Sequence, residues 1–280
     1  MMPGAHPAAT APDDRAGYLL SLPATIFLLL CLALPVLSVL VTSFAGAGGP
    51  GGGWSLAQYA GILDSGYYRL AFLRTLGLGG GIAGICLVLA IPLGYWMLRH
   101  PAWRIPLLIA LTGPMMVNVV ARLYGWQLLL SDSGPVNRLL GFGGPIMFVG
   151  SMLGVAIVMV HVMLPYAAIP IFNSMRAIDP AAIDAAQTLG ASPWRVFRFV
   201  VLPQSLPGVI TGFVLVFTLS AASFVVPAVM GGGRVNTFAT LTYQEMMALD
   251  FPRAAALAAC LLVVLLPLAW LSRRAGRQSA

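Results

Sequence analysis

The chain has 280 residues, of which 59% are apolar and only 8% charged. Soluble domains carry about 25% charged residues, so this composition places the chain in a bilayer rather than in water. The formal charge of +7 comes from fifteen Arg and no Lys, scattered among connectors with no basic run interleaved with aromatics, which speaks against a nucleic-acid partner.

Residues 1–17 are rich in Ala and Pro and hold Asp13, Asp14 and Arg15; they read as a loosely ordered tail. Residues 19–41 form a near-continuous apolar run, followed by Ala45-Gly46-Ala47, which resembles a signal-peptidase site. Signal-peptide apolar regions span roughly 7–15 residues, and this run is much longer. It therefore reads as a retained first transmembrane helix, despite Pro23 and Pro35. Residues 46–53 are a flexible glycine-rich stretch. Residues 54–69 carry Trp54, Tyr59, Tyr67 and Tyr68, which suit a membrane interface.

The second span covers about residues 70–98 and contains Gly77-x-x-x-Gly81 and Gly80-x-x-x-Gly84. Spacing by four puts small residues on one face, where another helix can come close; a glycine-rich sequence also produces such spacing by chance. After a polar turn at residues 99–104, the third span runs over residues 105–130. Asn118, Arg122 and Trp126 fall four apart there, hence on one face. An Arg within a span is costly in lipid and faces protein or a water-filled path. Two readings stand: a translocation-path lining, or structural pairing and snorkelling toward the outer surface.

The fourth span covers residues 148–172, with Pro165 and Pro170 late in it, and the fifth covers residues 206–229, with Gly208-x-x-x-Gly212 near its start. Residues 231–252 read as a long connector holding Glu245 and Asp250. The sixth span covers residues 253–271, and Arg273, Arg274 and Arg277 close the chain. The expected fold is thus all-α, a polytopic membrane protein of six transmembrane helices. Its division is a tail at 1–17, a transmembrane domain at 18–272 and a tail at 273–280.

Six spans put both termini on one side. That side holds Arg15, Arg99, Arg104, Arg176, Arg195, Arg198, Arg273, Arg274 and Arg277; the other holds Arg69, Arg74, Arg138, Arg234 and Arg253. Nine against five marks the first side as cytoplasmic.

Between the fourth and fifth spans lies the one long stretch that is not simply apolar, residues 179–203. Asp179 can cap a helix, Pro180 suits its first position, and residues 181–189 are mostly good helix formers. Gly190 fits the left-handed residue that ends many helices. Ser192-Pro193 repeats the start signal, a second helix can run to Leu202, and Pro203 disfavours helix at the residue before it. The chemistry-bearing residues are otherwise sparse. Cys31, Cys86 and Cys260 lie far apart and His6, His100 and His161 are isolated, so neither a disulfide framework nor a metal site is expected. No phosphate-binding GxxxxGK[ST] and no catalytic constellation is visible.

Asp184-Ala185-Ala186, then Gly190, then Val200-x-Leu202-Pro203, resembles the "EAA" loop of ABC-importer permeases, with every interval matched. Asp184 stands for the family's Glu and Val200 for its Ile. The resemblance covers about residues 70–271. Leu164-Pro165-Tyr166, Arg176 to Pro180, Arg122-x-Tyr124-Gly125-Trp126 and Met230-Gly231-Gly232 are similar to the spermidine/putrescine branch. The resemblance implies a bacterial inner-membrane protein with cytoplasmic termini, a second and homologous permease chain, a dimer of ATP-hydrolysing subunits and an extracytoplasmic solute-binding protein. It implies no cofactor on this chain, ATP and Mg being bound by the ATPase. It also implies that Asp184, Ala185, Ala186 and Gly190, with Leu202 and Pro203 closing the motif, form a cytoplasmic coupling loop that docks on the ATPase.

The competing reading is an ion-coupled secondary transporter. Such carriers hold acidic groups within spans, whereas the acids here fall in tails or connectors. A polyamine is a cation, and Asp132, Glu245 and Asp250 lie on the expected outer side to meet it; Glu245 is the candidate for the translocation path, beside Asn118, Arg122 and Trp126. The alternative for all three acids is an ordinary solvated connector residue.

Overall fold

A computed structural model describes residues 14–46, 53–140 and 146–277. Residues 1–13 of the expected tail, residues 47–52 of the glycine stretch, residues 141–145 and the last three residues lie outside the described residues.

The described residues are helical apart from turns and one antiparallel bridge between Ala45 and Trp54. In order they form α1 (Asp14–Ser43), α2 (Ala57–Asp64), α3 (Gly66–Arg99), α4 (Pro101–Met116), α5 (Val119–Leu130), α6 (Pro135–Leu140) and α7 (Met152–Arg176). Then come α8 (Pro180–Thr188), α9 (Pro193–Val196), a π-helical turn (Phe197–Val201), α10 (Leu202–Gln204), α11 (Leu206–Ala221), α12 (Val225–Met230), α13 (Phe238–Met247) and α14 (Phe251–Arg277). The first helix begins at Asp14, inside the stretch expected to be a tail.

Four helices are long and apolar enough to cross a membrane alone: Ser21–Ser43, Gly66–Arg99, Met152–Arg176 and Phe251–Trp270. Two further spans are broken rather than straight. Pro101–Met116 meets Val119–Leu140 at 101°, and Pro193–Gln204 meets Leu206–Ala221 at 65°. The first break has a local cause. Val117 is extended, and the Asn118 side chain accepts from the Val120 N–H at 2.8 Å, starting a new helix in mid-span. The second break falls at Ser205, just before Leu206-Pro207. Counting each bent pair as one span gives the expected six.

Three helices, α3, α7 and α11, pack on one another around Ile82, Ala83, Cys86, Val158, Ala167, Ile171 and Val216, all 2% exposed or less. In lipid such packing rests on close approach and van der Waals contact, not on escape from water. Gly208 and Gly212 provide it. A Cβ on Gly208 would stand 2.4 Å from the Ser174 Cβ, and one on Gly212 would stand 3.2 Å from the Ala167 carbonyl oxygen. Gly77, Gly80, Gly81 and Gly84 behave differently: a Cβ on any of them meets nothing within 4 Å. The glycines of α3 that pack are Gly79, against Phe217, and Gly94, against Met175. A smaller cluster of Ile62, Ala71, Phe238, Leu241 and Leu257 ties α2 and α13 to α3 and α14. The first helix packs on α14 and leaves Phe27, Leu28 and Leu32 exposed to what would be lipid.

Two expectations about connectors are corrected. Residues 231–252 are not an open connector, because Thr237 and Thr240 form a reciprocal cap that starts α13. Nor does Pro203 end a helix. Leu202 stays helical at φ −62° and ψ −46°, and its N–H donates five residues back to the Phe197 carbonyl. The π-helical turn absorbs a proline that has no N–H to give, so the helix continues to Gln204.

Candidate functional site

The helices define two ends of the bundle. At one end the α1 C-terminus, α2, the start of α3, α13 and the start of α14 meet, with Tyr59 donating to Ser43 at 2.7 Å. At the other, the end of α3 meets α9, with the Tyr95 hydroxyl donating to the Pro193 carbonyl at 3.4 Å. The 179–203 unit lies at this second end.

Its local geometry follows from its sequence. Asp179 accepts from the Ala181 N–H at 2.9 Å, and Pro180 occupies the first helical position. Gly190 has φ +78°. Around it the Gly190 N–H donates to Gln187 at 2.9 Å and the Ala191 N–H to Ala186 at 3.0 Å, the paired closure of a Schellman turn. Ser192 then accepts from the Arg195 N–H at 3.4 Å.

The six residues expected to act together are divided by the fold. Asp184, Ala185 and Gly190 are exposed, and Leu189 beside them is 88% exposed. Ala186 instead packs half-buried against the chain's own core. Leu202 is half-buried and Pro203 exposed, both beyond the π-helical turn. Asp184, Ala185, Gly190 and Leu189 are therefore the part of the unit free to meet a partner.

The second expected group is also divided. Asn118 is exposed and caps α5, so it marks the break of the span. Trp126 turns inward, its indole N–H donating to Nδ1 of His161 on α7 at 3.2 Å, with the rings edge-on at 5.2 Å. His161 was invisible as a partner in the sequence, because 35 residues separate it from Trp126. The Nε of Arg122 is buried without a hydrogen-bond partner. The ion pair among the described residues joins Asp250 to Arg253 at 3.5 Å, so structural pairing of Arg122 with a carboxylate is not what holds it.

Glu245 sits elsewhere, on α13, where it accepts from the Tyr68 hydroxyl of α3. Near it Arg253 reaches the Gln58 side chain at 3.4 Å. Glu245 thus belongs to a polar clasp between helices, and different helices hold it and the Arg122–Trp126 pair. Of the three acids expected on the outer side, Asp132 lines a cavity of about 710 Å³ with Tyr124, Gln127 and Arg234. Among the described residues no group of three His, Cys, Asp or Glu could hold a metal ion.

Residues 16–278 match the model of a family described as "Binding-protein-dependent transport system inner membrane component". The chain belongs to this family. It is 29% identical over 218 residues to the spermidine/putrescine transport system permease protein PotB of Salmonella typhimurium (strain SL1344), covering 76% of each chain. It is 28% identical over 193 residues to the molybdenum transport system permease protein ModB of Azotobacter vinelandii, covering 67% of this chain and 85% of that one. Its fold is similar to that of a bacterial ABC transporter involved in the import of the acidic polysaccharide alginate. There the TM-score is 0.76 at 19% identity, over 93% of this chain and 96% of that one. The chain is an ABC-importer permease with a multi-pass, all-helical fold.

Proposed function

We propose that this permease forms part of the pore of an ATP-driven importer and takes its energy from a separate ATPase through the 179–203 unit. The observation that carries the reading is the exposed α8–Gly190–α9 turn, held rigid by two caps and a Schellman closure yet presenting Asp184, Ala185 and Leu189 outward. Small Ala side chains permit close approach, and one carboxylate can pair with a basic partner. The expected assembly is this chain, a second homologous permease chain, an ATPase dimer carrying ATP and Mg, and an extracytoplasmic binding protein. With the nine-to-five Arg distribution, the α8 end is cytoplasmic, as are both termini.

The solute is a small polar molecule, and the names of the PotB relatives favour one of the spermidine and putrescine type. Arg122 favours a second reading. Its guanidinium pairs with no carboxylate among the described residues, which suits a solute that brings an anionic or carbonyl oxygen, whereas a polycation would be repelled. Uptake of labelled spermidine and of labelled molybdate into vesicles bearing the assembled complex separates the two. Saturable, ATP-dependent uptake of spermidine supports the first reading; competition by anions alone supports the second.

A further inference from the structure

The cytoplasmic end of the bundle holds two clefts that meet at Tyr95 and Arg99. One, of about 400 Å³, is lined by Arg99, Arg104, Arg176 and Asp184, so three basic residues stand with one acidic residue. Arg104 is fixed there by its own hydrogen bonds, with Nε to Met97 at 2.8 Å and Nη2 to Leu98 at 3.1 Å. Asp184 lies within ion-pair distance of none of the three, since the ion pair among the described residues is Asp250–Arg253. The cleft therefore has positive charge to spare.

The other cleft, of about 500 Å³, is apolar and aromatic. Pro92 and Trp96 of α3 form one wall; Trp194 and Phe197 form the other. Trp96 is 52% and Trp194 64% exposed. Pro92 is seven residues before Arg99, so this slot runs about 10 Å back along α3 into the span. An apolar slot of this length suits an acyl chain.

We infer that the joined clefts bind one anionic phospholipid of the cytoplasmic leaflet, with its phosphate among Arg99, Arg104 and Arg176 and an acyl chain between Trp96 and Trp194. Basic recesses between helices on the cytoplasmic side suit anionic head groups, and Trp suits the level of the glycerol backbone. The head group would lie against Asp184 and thus against α8. An effect of the lipid on ATP hydrolysis rests on the coupling role proposed above, whereas lipid retention does not.

The test uses the assembled complex, purified through a tag on this chain and placed in nanodiscs of mixed phosphatidylglycerol and phosphatidylcholine. Native mass spectrometry then counts the lipids retained. The expected result is preferential retention of phosphatidylglycerol, lowered about tenfold or more in the double variant Arg99→Gln, Arg176→Gln. The charge-keeping double variant Arg99→Lys, Arg176→Lys should restore it, and Trp194→Ala should weaken retention of the same lipid. Equal retention in the unmutated and Gln variants overturns the inference. So does displacement of the lipid by millimolar inorganic phosphate, which would mark a free-anion site. Retention that appears only after the ATPase is stripped away would assign the basic cleft to that subunit and overturns it equally.

Discussion

The Ala191 N–H donates to the Ala186 carbonyl at 3.0 Å, wrapping the chain around Gly190 at φ +78°. One half-buried alanine of the motif thereby fixes where the exposed half points. A Cβ at position 190 would meet nothing within 4 Å, so the constraint there is backbone conformation and not space.

Gly190→Ala should therefore cost about 1–2 kcal/mol locally, and Gly190→Val more, because L-residues resist the left-handed region. The spans are untouched, so both variants should insert at normal levels. Gly190→Val is expected to lose transport, with the ATPase poorly bound or no longer stimulated. Subunit stoichiometry, ATP hydrolysis and uptake measured on one reconstituted sample check this; uptake near the unmutated rate would reduce Gly190 to a tolerated turn.

Gly208 is limited by space instead. Gly208→Ala would drive its Cβ into Ser174 and the Pro170 carbonyl and should destabilise the α7–α11 packing by about 1–3 kcal/mol. Gly80→Ala, with nothing within 4 Å, should leave the packing of this chain intact. Thermal unfolding of the two purified variants compares them directly, and equal losses would mean that α11 does not approach α7 so closely.

Glu245 is expected to matter as a clasp. Glu245→Gln keeps an acceptor for the Tyr68 hydroxyl and should leave uptake little changed. Glu245→Ala should destabilise the α3–α13 contact by about 1.5–3 kcal/mol, as for hydrogen bonds to charged groups. Melting temperatures and uptake kinetics separate the roles: a large loss of uptake in Glu245→Gln at unchanged stability would return Glu245 to the translocation path.

The Trp126–His161 contact predicts a similar split. Trp126→Phe removes the indole donor to His161 but keeps an aromatic ring, so assembly should persist while uptake falls. Arg122→Met removes the positive charge on α5; it should impair uptake of an anionic or acceptor-rich solute and spare or raise that of a polycation. Uptake of both solute classes in each variant is the measurement, and identical profiles would place neither residue on the route.

The reach of the sequence differs from element to element. Asp179, Gly190 and Ser192 were legible because caps and left-handed turns are local, each set by a few adjacent residues. The apolar runs announced the spans by length and composition. The breaks at Val117 and Ser205 were not legible, because a mid-span cap by Asn118 looks like one more polar residue on a helical face. Pro203 misled for a different reason: its effect on the residue before it is a bias that Leu202 overrides at φ −62° and ψ −46°, and the π-helical turn accommodates the missing N–H. The Tyr68–Glu245 and Trp126–His161 contacts join residues 177 and 35 positions apart, a distance that no periodicity encodes.

Membrane orientation has its own check. With Cys31, Cys86 and Cys260 replaced, a single cysteine at Ala181 should react with an impermeant maleimide only after the inner face is opened. One at Gly232 should react in intact cells. The reverse pattern would place the α8–Gly190–α9 turn outside and remove it from any ATPase.

The most direct measurement of the central claim is uptake into proteoliposomes that hold this chain, its partner permease and the ATPase, with loaded binding protein on the outer face and ATP inside. The account predicts uptake that requires both ATP and the ATPase and is abolished by Gly190→Val without loss of assembled complex. Uptake driven by a proton or sodium gradient in the absence of ATP would contradict it.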